Sequence, residues 1–144
     1  MARVEKSVLV AHTPERMFDL VDRVEDYPTF LPWCGGTTLK WRDETTTVAT
    51  IHIAYLGVRH SFTTENTKTR PHEMRIRLQE GPFSHLEGDW TFVPLGDDAC
   101  KVMFRLDYTF SSRALETVLA PVFDHIARTL VDAFVHRADE AWVS

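Results

Sequence analysis

Cysteine is scarce in this sequence of 144 residues, which contains two, Cys34 and Cys100. Their spacing matches no metal-binding or redox motif. Lone thiols are typical of a reducing compartment, so we predict two free thiols and no disulfide. Long apolar runs are also absent, because no stretch approaches the roughly 18 residues of a transmembrane helix. The first six residues have no apolar signal core. We therefore expect a cytoplasmic protein, with peripheral contact at the inner membrane as an open alternative.

Positive charge is in deficit. Lys and Arg number 16 against 21 Asp and Glu, which leaves a net charge of −5 with neutral histidines. Nonspecific binding to nucleic acids depends on neutralising phosphates with Lys and Arg, and the sequence has no basic cluster. We predict no DNA binding, and the charge also weighs against direct contact with RNA.

Motifs for catalysis and metal binding are missing. We find no metalloprotease motif, no nucleophile elbow and no phosphate-binding glycine loop. The seven histidines never stand three or four residues apart, the spacing that would place two ligands on one helix face. His60 and Tyr108 are the inward-facing polar residues that an enzyme would have to use. The expectation is therefore no catalytic residue, no metal and no required cofactor.

The C-terminal segment 111–144 carries apolar residues at steps of three and four, which predicts a long amphipathic helix. A helix of roughly 30 residues would be about 45 Å long and needs a long apolar surface to lie on. Pro121 lies inside this stripe, removes one backbone donor and clashes one turn back. The helix is expected either to kink at Pro121 or to divide there, and we favour a division into a short helix over 112–119 and a main helix that begins at Pro121. The stripe consists of Leu115, Val118, Leu119, Val122, Ile126, Leu130, Phe134, Ala138 and Trp142.

The N-terminal part predicts one strand and two short helices. Residues 2–10 end in an apolar run and are expected to form the first strand. Thr13 is a suitable N-cap and Pro14 suits the first helical position. A second short helix is expected over 26–31, and Gly35-Gly36 is expected to end this corner.

Six further strands are predicted from alternating apolar and polar residues. Their short connections favour antiparallel pairing, with one buried and one solvated face. The fold class is therefore α+β, a curved sheet of seven strands around the long C-terminal helix, in a single domain over 1–144. The expected ranges are 37–44, 45–56, 59–67, 72–80, 84–95 and 99–110.

The buried faces of these strands combine large aromatic residues with Gly88, which lies in mid-strand. A glycine there indicates a bend or a close approach to the backbone. Such a sheet can enclose either a solid core or an apolar cavity for a lipid-like ligand, and the pattern leaves both open. The aromatic residues are Phe62, Trp90, Phe92, Phe104 and Tyr108.

Several motifs resemble those of the ribosome-association toxin family and its relatives, the coenzyme Q-binding proteins, within the START-like polyketide cyclase/dehydrase superfamily. The resemblance runs in order over essentially the whole chain. Its motifs are 27–34 (YPTFLPWC), 81–83 (GPF), 86–90 (LEGDW), 99–102 (ACKV), 121–123 (PVF) and 131–134 (VDAF).

This resemblance implies a START-like helix-grip fold with a hydrophobic tunnel for ubiquinone or another polyprenyl lipid. The implied function is non-enzymatic lipid binding that supports respiratory electron transfer or quinone biosynthesis. An alternative is a toxin of a toxin–antitoxin system that binds the large ribosomal subunit and blocks subunit association. A third is an enzyme similar to polyketide cyclases and aromatases. Fold alone does not decide among them.

The resemblance and the strand phases together predict the ligand-binding residues. The segment between the second short helix and the second strand would form the tunnel mouth, with Tyr27, Phe30, Leu31, Pro32 and Trp33. The wall would comprise Ile51, Ile53, Phe62, Met74, Ile76, Leu86, Trp90, Phe104, Leu106, Val122 and Ile126.

Overall fold

The structure, a computed structural model, describes residues 2–142. Seven strands form one antiparallel sheet in the order β1-β7-β6-β5-β4-β3-β2, and a 29-residue helix, α2, follows the last strand. The predicted α+β architecture is confirmed. The elements are β1 Ala2–Val10, α1 Pro14–Asp22, a 3₁₀ helix Val24–Thr29, β2 Cys34–Arg42, β3 Thr46–Tyr55, β4 Val58–Thr69, β5 Glu73–Glu80, β6 Phe83–Pro94, β7 Cys100–Phe110 and α2 Arg113–Ala141.

The sheet is a meander whose first strand closes against its last. Strands β2 to β7 each pair with their neighbours in sequence, and β1 pairs with β7 in the register Val4↔Leu106. The β3–β4 turn consists of Leu56 and Gly57, both at positive φ (51° and 80°), as a tight hairpin requires. Cys34 and Cys100 are buried free thiols on β2 and β7, which lie far apart in the strand order.

Helix α1 begins as predicted, and the segment after it differs in detail. The hydroxyl of Thr13 accepts from the backbone N–H of Arg16 at 3.2 Å and caps the helix. The second helix is a 3₁₀ turn that begins at Val24, two residues earlier than expected. The prediction that Gly35-Gly36 ends the corner is wrong, because β2 already begins at Cys34. A Cβ on Gly35 would lie 2.9 Å from the Cβ of Ala54, so glycine allows β3 to pass closely.

Helix α2 is a single helix, and the predicted division at Pro121 is wrong. Pro121 is exposed on the outer side of the helix, whereas Leu119, Val122 and Phe123 around it are buried. Proline cannot donate one of the backbone hydrogen bonds of the helix. Burial of these side chains compensates for that loss and keeps the helix continuous. The hydroxyl of Ser112 caps the helix start.

Gly88 lies in mid-strand because a neighbouring strand passes close to it. A Cβ there would be 2.2 Å from the backbone oxygen of Arg105 on β7. The close approach expected at this glycine therefore comes from the sheet itself.

The outer face of the sheet carries ion pairs between neighbouring strands, as its mixed charges suggest. Arg77 lies 2.7 Å from Glu65, and Arg105 lies 3.0 Å from Asp89. Such exposed pairs contribute little stability, but they neutralise one another's charge. Within residues 2–142, no helix combines the length and the hydropathy needed to cross a bilayer.

Candidate ligand-binding site

A cavity of about 90 Å³ lies between the concave face of the sheet and α2. Its wall is mostly apolar and combines residues of α1, the 3₁₀ helix, β3 to β7 and α2, with Trp33 just before β2. The lining residues are Val21, Val24, Tyr27, Trp33, Ile51, Phe62, Thr64, Asn66, Met74, Ile76, Leu86, Trp90, Phe104, Leu106, Phe123, Ile126, Ala127, Leu130 and Phe134.

Most of the predicted ligand-binding residues lie on this wall. Period-two alternation places the strand residues on the inner face, and the apolar stripe of α2 places Ile126 opposite them. The predicted residues in the lining are Tyr27, Trp33, Ile51, Phe62, Met74, Ile76, Leu86, Trp90, Phe104, Leu106 and Ile126.

Three residues of the predicted mouth do not line the cavity. Leu31 is buried in the core at 1% exposure, and Pro32 is exposed to solvent. Phe30 packs edge-on against Phe134 of α2, with ring centroids 5.4 Å apart. This segment therefore covers the cavity mainly through Tyr27 and Trp33.

Two residues of the predicted wall lie at a separate site. Ile53 and Val122 line a second space of about 10 Å³, nearer the β3–β4 turn, together with Phe83. Phe62 and Phe123 line both spaces and separate them. Ile53 and Val122 face inward as expected, but the side chains of Phe62 and Phe123 close the region between the two spaces.

Sequence reasoning missed two polar residues of the wall, Thr64 and Asn66. Both follow Phe62 at steps of two along β4, so the strand phase could have found them. Sequence reasoning also missed Val21, Val24, Phe123, Ala127, Leu130 and Phe134 as wall residues, although Leu130 and Phe134 belong to the predicted stripe.

An aromatic cluster joins α2 to the rest of the wall. The ring of Phe134 lies 5.3 Å from Tyr27 and 5.4 Å from both Phe30 and Trp90, each in an edge-on arrangement. Trp90 in turn lies 4.5 Å from Phe104 on β7. Edge-on aromatic pairs are favourable beyond their buried area, so this cluster holds the helix against the sheet.

The charged groups beside the cavity are paired. Lys68, at 7% exposure, lies 3.1 Å from Asp22, and the hydroxyl of Thr47 donates to the same carboxylate at 2.8 Å. Arg42 donates two hydrogen bonds to Glu25, which lowers the pKa of that carboxyl to about 2. Pairing offsets much of the cost of placing these charges near an apolar core.

The inward polar residues proposed for an enzyme do not meet in the larger cavity. His60 lines the smaller space, and the hydroxyl of Tyr108 donates to Asp124 of α2. Burial raises the pKa of the Cys100 thiol to about 11, which keeps it protonated at neutral pH. In the described part of the chain, no three His, Cys, Asp or Glu side chains converge as metal ligands would.

This architecture is a START-like helix-grip fold, and a START superfamily protein from Mycobacterium smegmatis has the same fold. Its solved structure has a TM-score of 0.76 at 21% identity and covers 97% of this chain and 99% of its own. The family described as polyketide cyclase/dehydrase and lipid transport matches residues 10–135. The chain belongs to this family, in the group that contains ribosome association toxins and coenzyme Q-binding proteins.

Two relatives represent that group. A ribosome association toxin RatA of Vibrio cholerae is 37% identical over 142 residues, 99% of each chain. The mitochondrial coenzyme Q-binding protein COQ10 homolog B of Xenopus laevis is 26% identical over 137 residues, which are 92% of this chain and 56% of that protein.

Proposed function

We propose that this protein binds a polyprenyl lipid of the ubiquinone type between the sheet and α2, without chemical change to it. The observation that carries the proposal is the apolar cavity, whose wall includes Trp90, Phe104 and Phe134. The lipid-transport description of the family and the name of the coenzyme Q-binding relative support it. Each buried methylene of such a lipid contributes about 0.8 kcal/mol, so few polar contacts are needed.

The cavity must enlarge to accept a complete lipid. Its volume is about 90 Å³, whereas sites for drug-sized ligands measure roughly 300–1,000 Å³. The contacts that would have to separate are those of Phe134 with Tyr27 and Phe30. We propose that α2 and the 3₁₀ helix move apart at this cluster when the lipid enters.

A carrier role fits the side chains better than an enzymatic role. Thr64 and Asn66 of the wall carry neither an acid nor a base, and the hydroxyl of Tyr27 donates to the backbone oxygen of Val21. The ionised groups nearby are engaged in pairs such as Lys68 with Asp22. We propose that the protein delivers or presents a quinone for respiratory electron transfer or quinone biosynthesis, with peripheral contact at the inner membrane.

Lipid extraction tests this proposal. Protein purified from a quinone-containing host, then incubated with ubiquinone in detergent micelles, is extracted with organic solvent and assayed by mass spectrometry. We expect about one prenyl lipid per protein. Ala127→Leu fills the cavity from α2 and should abolish retention, whereas Val118→Leu, exposed on the same helix, should retain the lipid. Lipid-free protein after incubation, or equal retention by both variants, contradicts the proposal.

A ribosome-directed function is the second candidate, and the higher identity to RatA favours it. We propose association with the large ribosomal subunit that blocks joining of the small one. Against it stands the pairing of outer-face cations such as Arg77 and Arg105. Sedimentation with purified subunits in a sucrose gradient tests it. Migration with the large subunit and loss of joined ribosomes are expected, and unchanged profiles reject this function.

A further inference from the structure

Asn66 is a buried polar residue on an otherwise mostly apolar wall. It lies on β4 two residues beyond Thr64, lines the main cavity and is 9% exposed. A carboxamide offers two donors and an acceptor with two lone pairs. A residue of this kind inside a core needs partners, since most buried polar groups are hydrogen-bonded.

The carboxamide of Asn66 is only half satisfied. Its Nδ2 donates to the thioether sulfur of Met74 at 3.7 Å, and its Oδ1 is buried with no hydrogen-bond partner among residues 2–142. The sulfur is a weak acceptor, so the contact suits the amide nitrogen and leaves the oxygen as the free group. An unsatisfied buried acceptor costs about 1–3 kcal/mol, and a ligand that donates to it would recover part of that cost.

Neighbouring groups do not supply the missing donor. The ammonium of Lys68, two residues further along the same face of β4, is engaged by Asp22 at 3.1 Å. The hydroxyl of Thr64 can donate or accept, so it does not select one kind of ligand group. Asn66 Oδ1 is thus a buried acceptor on the wall that lacks a hydrogen-bond donor among residues 2–142.

We propose that the cavity holds the hydroxyl-bearing ring of its ligand, and that Asn66 Oδ1 accepts the hydrogen bond from that hydroxyl. The site would then prefer a hydroquinone to the corresponding quinone, because quinone carbonyls accept and cannot donate. This inference rests on the proposed lipid-binding function. A dry cavity of about 150 Å³ can bind benzene, so this cavity of about 90 Å³ has to open further before it accepts a substituted ring.

Calorimetric titration tests the preference. The probe is a ubiquinone analogue with one isoprene unit, titrated oxidised and, under anaerobic conditions, chemically reduced. We expect the reduced form to bind about tenfold more tightly, as one net hydrogen bond would provide. Asn66→Leu, which is similar in size, should bring the ratio of dissociation constants close to one. Thr67→Val, exposed on the same strand, should keep the wild-type ratio.

The outcomes separate this inference from the function on which it rests. Equal affinity of the wild type for both forms, as a water bound at Asn66 would produce, overturns the inference and leaves lipid binding intact. A preference that persists in Asn66→Leu also overturns it. Binding of neither form rejects both. If Asn66→Leu does not fold, the wild type is titrated instead with the dimethyl ether of the reduced analogue, which has no hydroxyl to donate. Equal binding of the ether and the hydroquinone would contradict the inference.

Discussion

Phe134 of α2 meets Trp90 of β6 edge-on, with ring centroids 5.4 Å apart and planes at 85°. This contact joins α2 to the sheet at the wall of the cavity. Phe134 is 1% exposed and Trp90 is 2% exposed, so both rings belong to the core and to the wall of the site. The same side chains therefore contribute to stability and to the proposed ligand-binding site, and variants must be chosen to separate the two effects.

Removal of the Phe134 ring should weaken the whole fold. Phe134→Ala should lower the free energy of unfolding by about 3–5 kcal/mol, because a buried aromatic side chain leaves a cavity when truncated. Urea denaturation followed by circular dichroism measures this. Val118→Ala on the same helix, at 55% exposure, should change it by less than about 0.5 kcal/mol. Similar losses for both variants would contradict the role of Phe134 in joining helix and sheet.

Gly88 should not tolerate a side chain. In Gly88→Ala the new Cβ would lie 2.2 Å from the backbone oxygen of Arg105, so β6 and β7 would have to separate. We expect a loss of about 1–3 kcal/mol or more, as for an overpacked core. Gly36→Ala, whose Cβ would meet a side-chain atom of His52 at 3.7 Å, should be nearly neutral. Chemical denaturation of both proteins provides the comparison, and a neutral Gly88→Ala would be the adverse result.

Replacement of the proline in α2 should stabilise the protein. Pro121→Ala restores a backbone donor at an exposed position inside a continuous helix. Proline costs about 3 kcal/mol relative to alanine in a helix interior, and the gain in unfolded-chain entropy offsets part of this. We expect an increase of about 1–3 kcal/mol in the free energy of unfolding. A decrease would indicate that the proline is needed for the packing of α2.

The ion pair of Arg42 with Glu25 should make stability depend on pH. The hydrogen bonds from Arg42 lower the pKa of Glu25 from 4.5 to about 2 in the folded protein. Because the pKa of Glu25 is lower in the folded than in the unfolded protein, its ionised form stabilises the fold at pH values above 4.5. This contribution is lost as the pH falls from 4.5 toward 2. The Glu25 side chain is 39% exposed, so solvent screening limits the effect to at most about 1 kcal/mol.

The measurement for this pair is urea denaturation of Glu25→Gln and the wild type at pH 7 and pH 3. The difference in unfolding free energy should be smaller at pH 3. Glu44→Gln, in the exposed turn between β2 and β3, serves as the reference, because no ion pair of Glu44 is present among residues 2–142. A difference for Glu25→Gln that grows on acidification would refute the assignment.

Local pattern was sufficient to predict most of the elements. The alternation of Met74 and Trp90 with charged neighbours placed β5 and β6 and their inner faces correctly, because side chains on a strand alternate strictly. Thr13 and Pro14 marked the start of α1 through capping and a preset φ. Most of the cavity lining was also predictable, because inward phase is a property of each strand by itself.

Tertiary contacts decided what these patterns could not. Pro121 is a helix breaker on local grounds, but burial of Val122 and Phe123 against the sheet keeps α2 continuous. The division of the inner space into two cavities depends on how aromatic rings from distant segments meet.

By itself, the sequence therefore determined the elements, their inner faces and the family. The lack of a partner for the Asn66 side-chain oxygen among residues 2–142 depends on what lies around it in three dimensions, and so does the size of the cavity. The physical reason is that propensity and periodicity act over a few neighbouring residues, whereas hydrogen-bond satisfaction and packing volume are set by residues far apart in the chain.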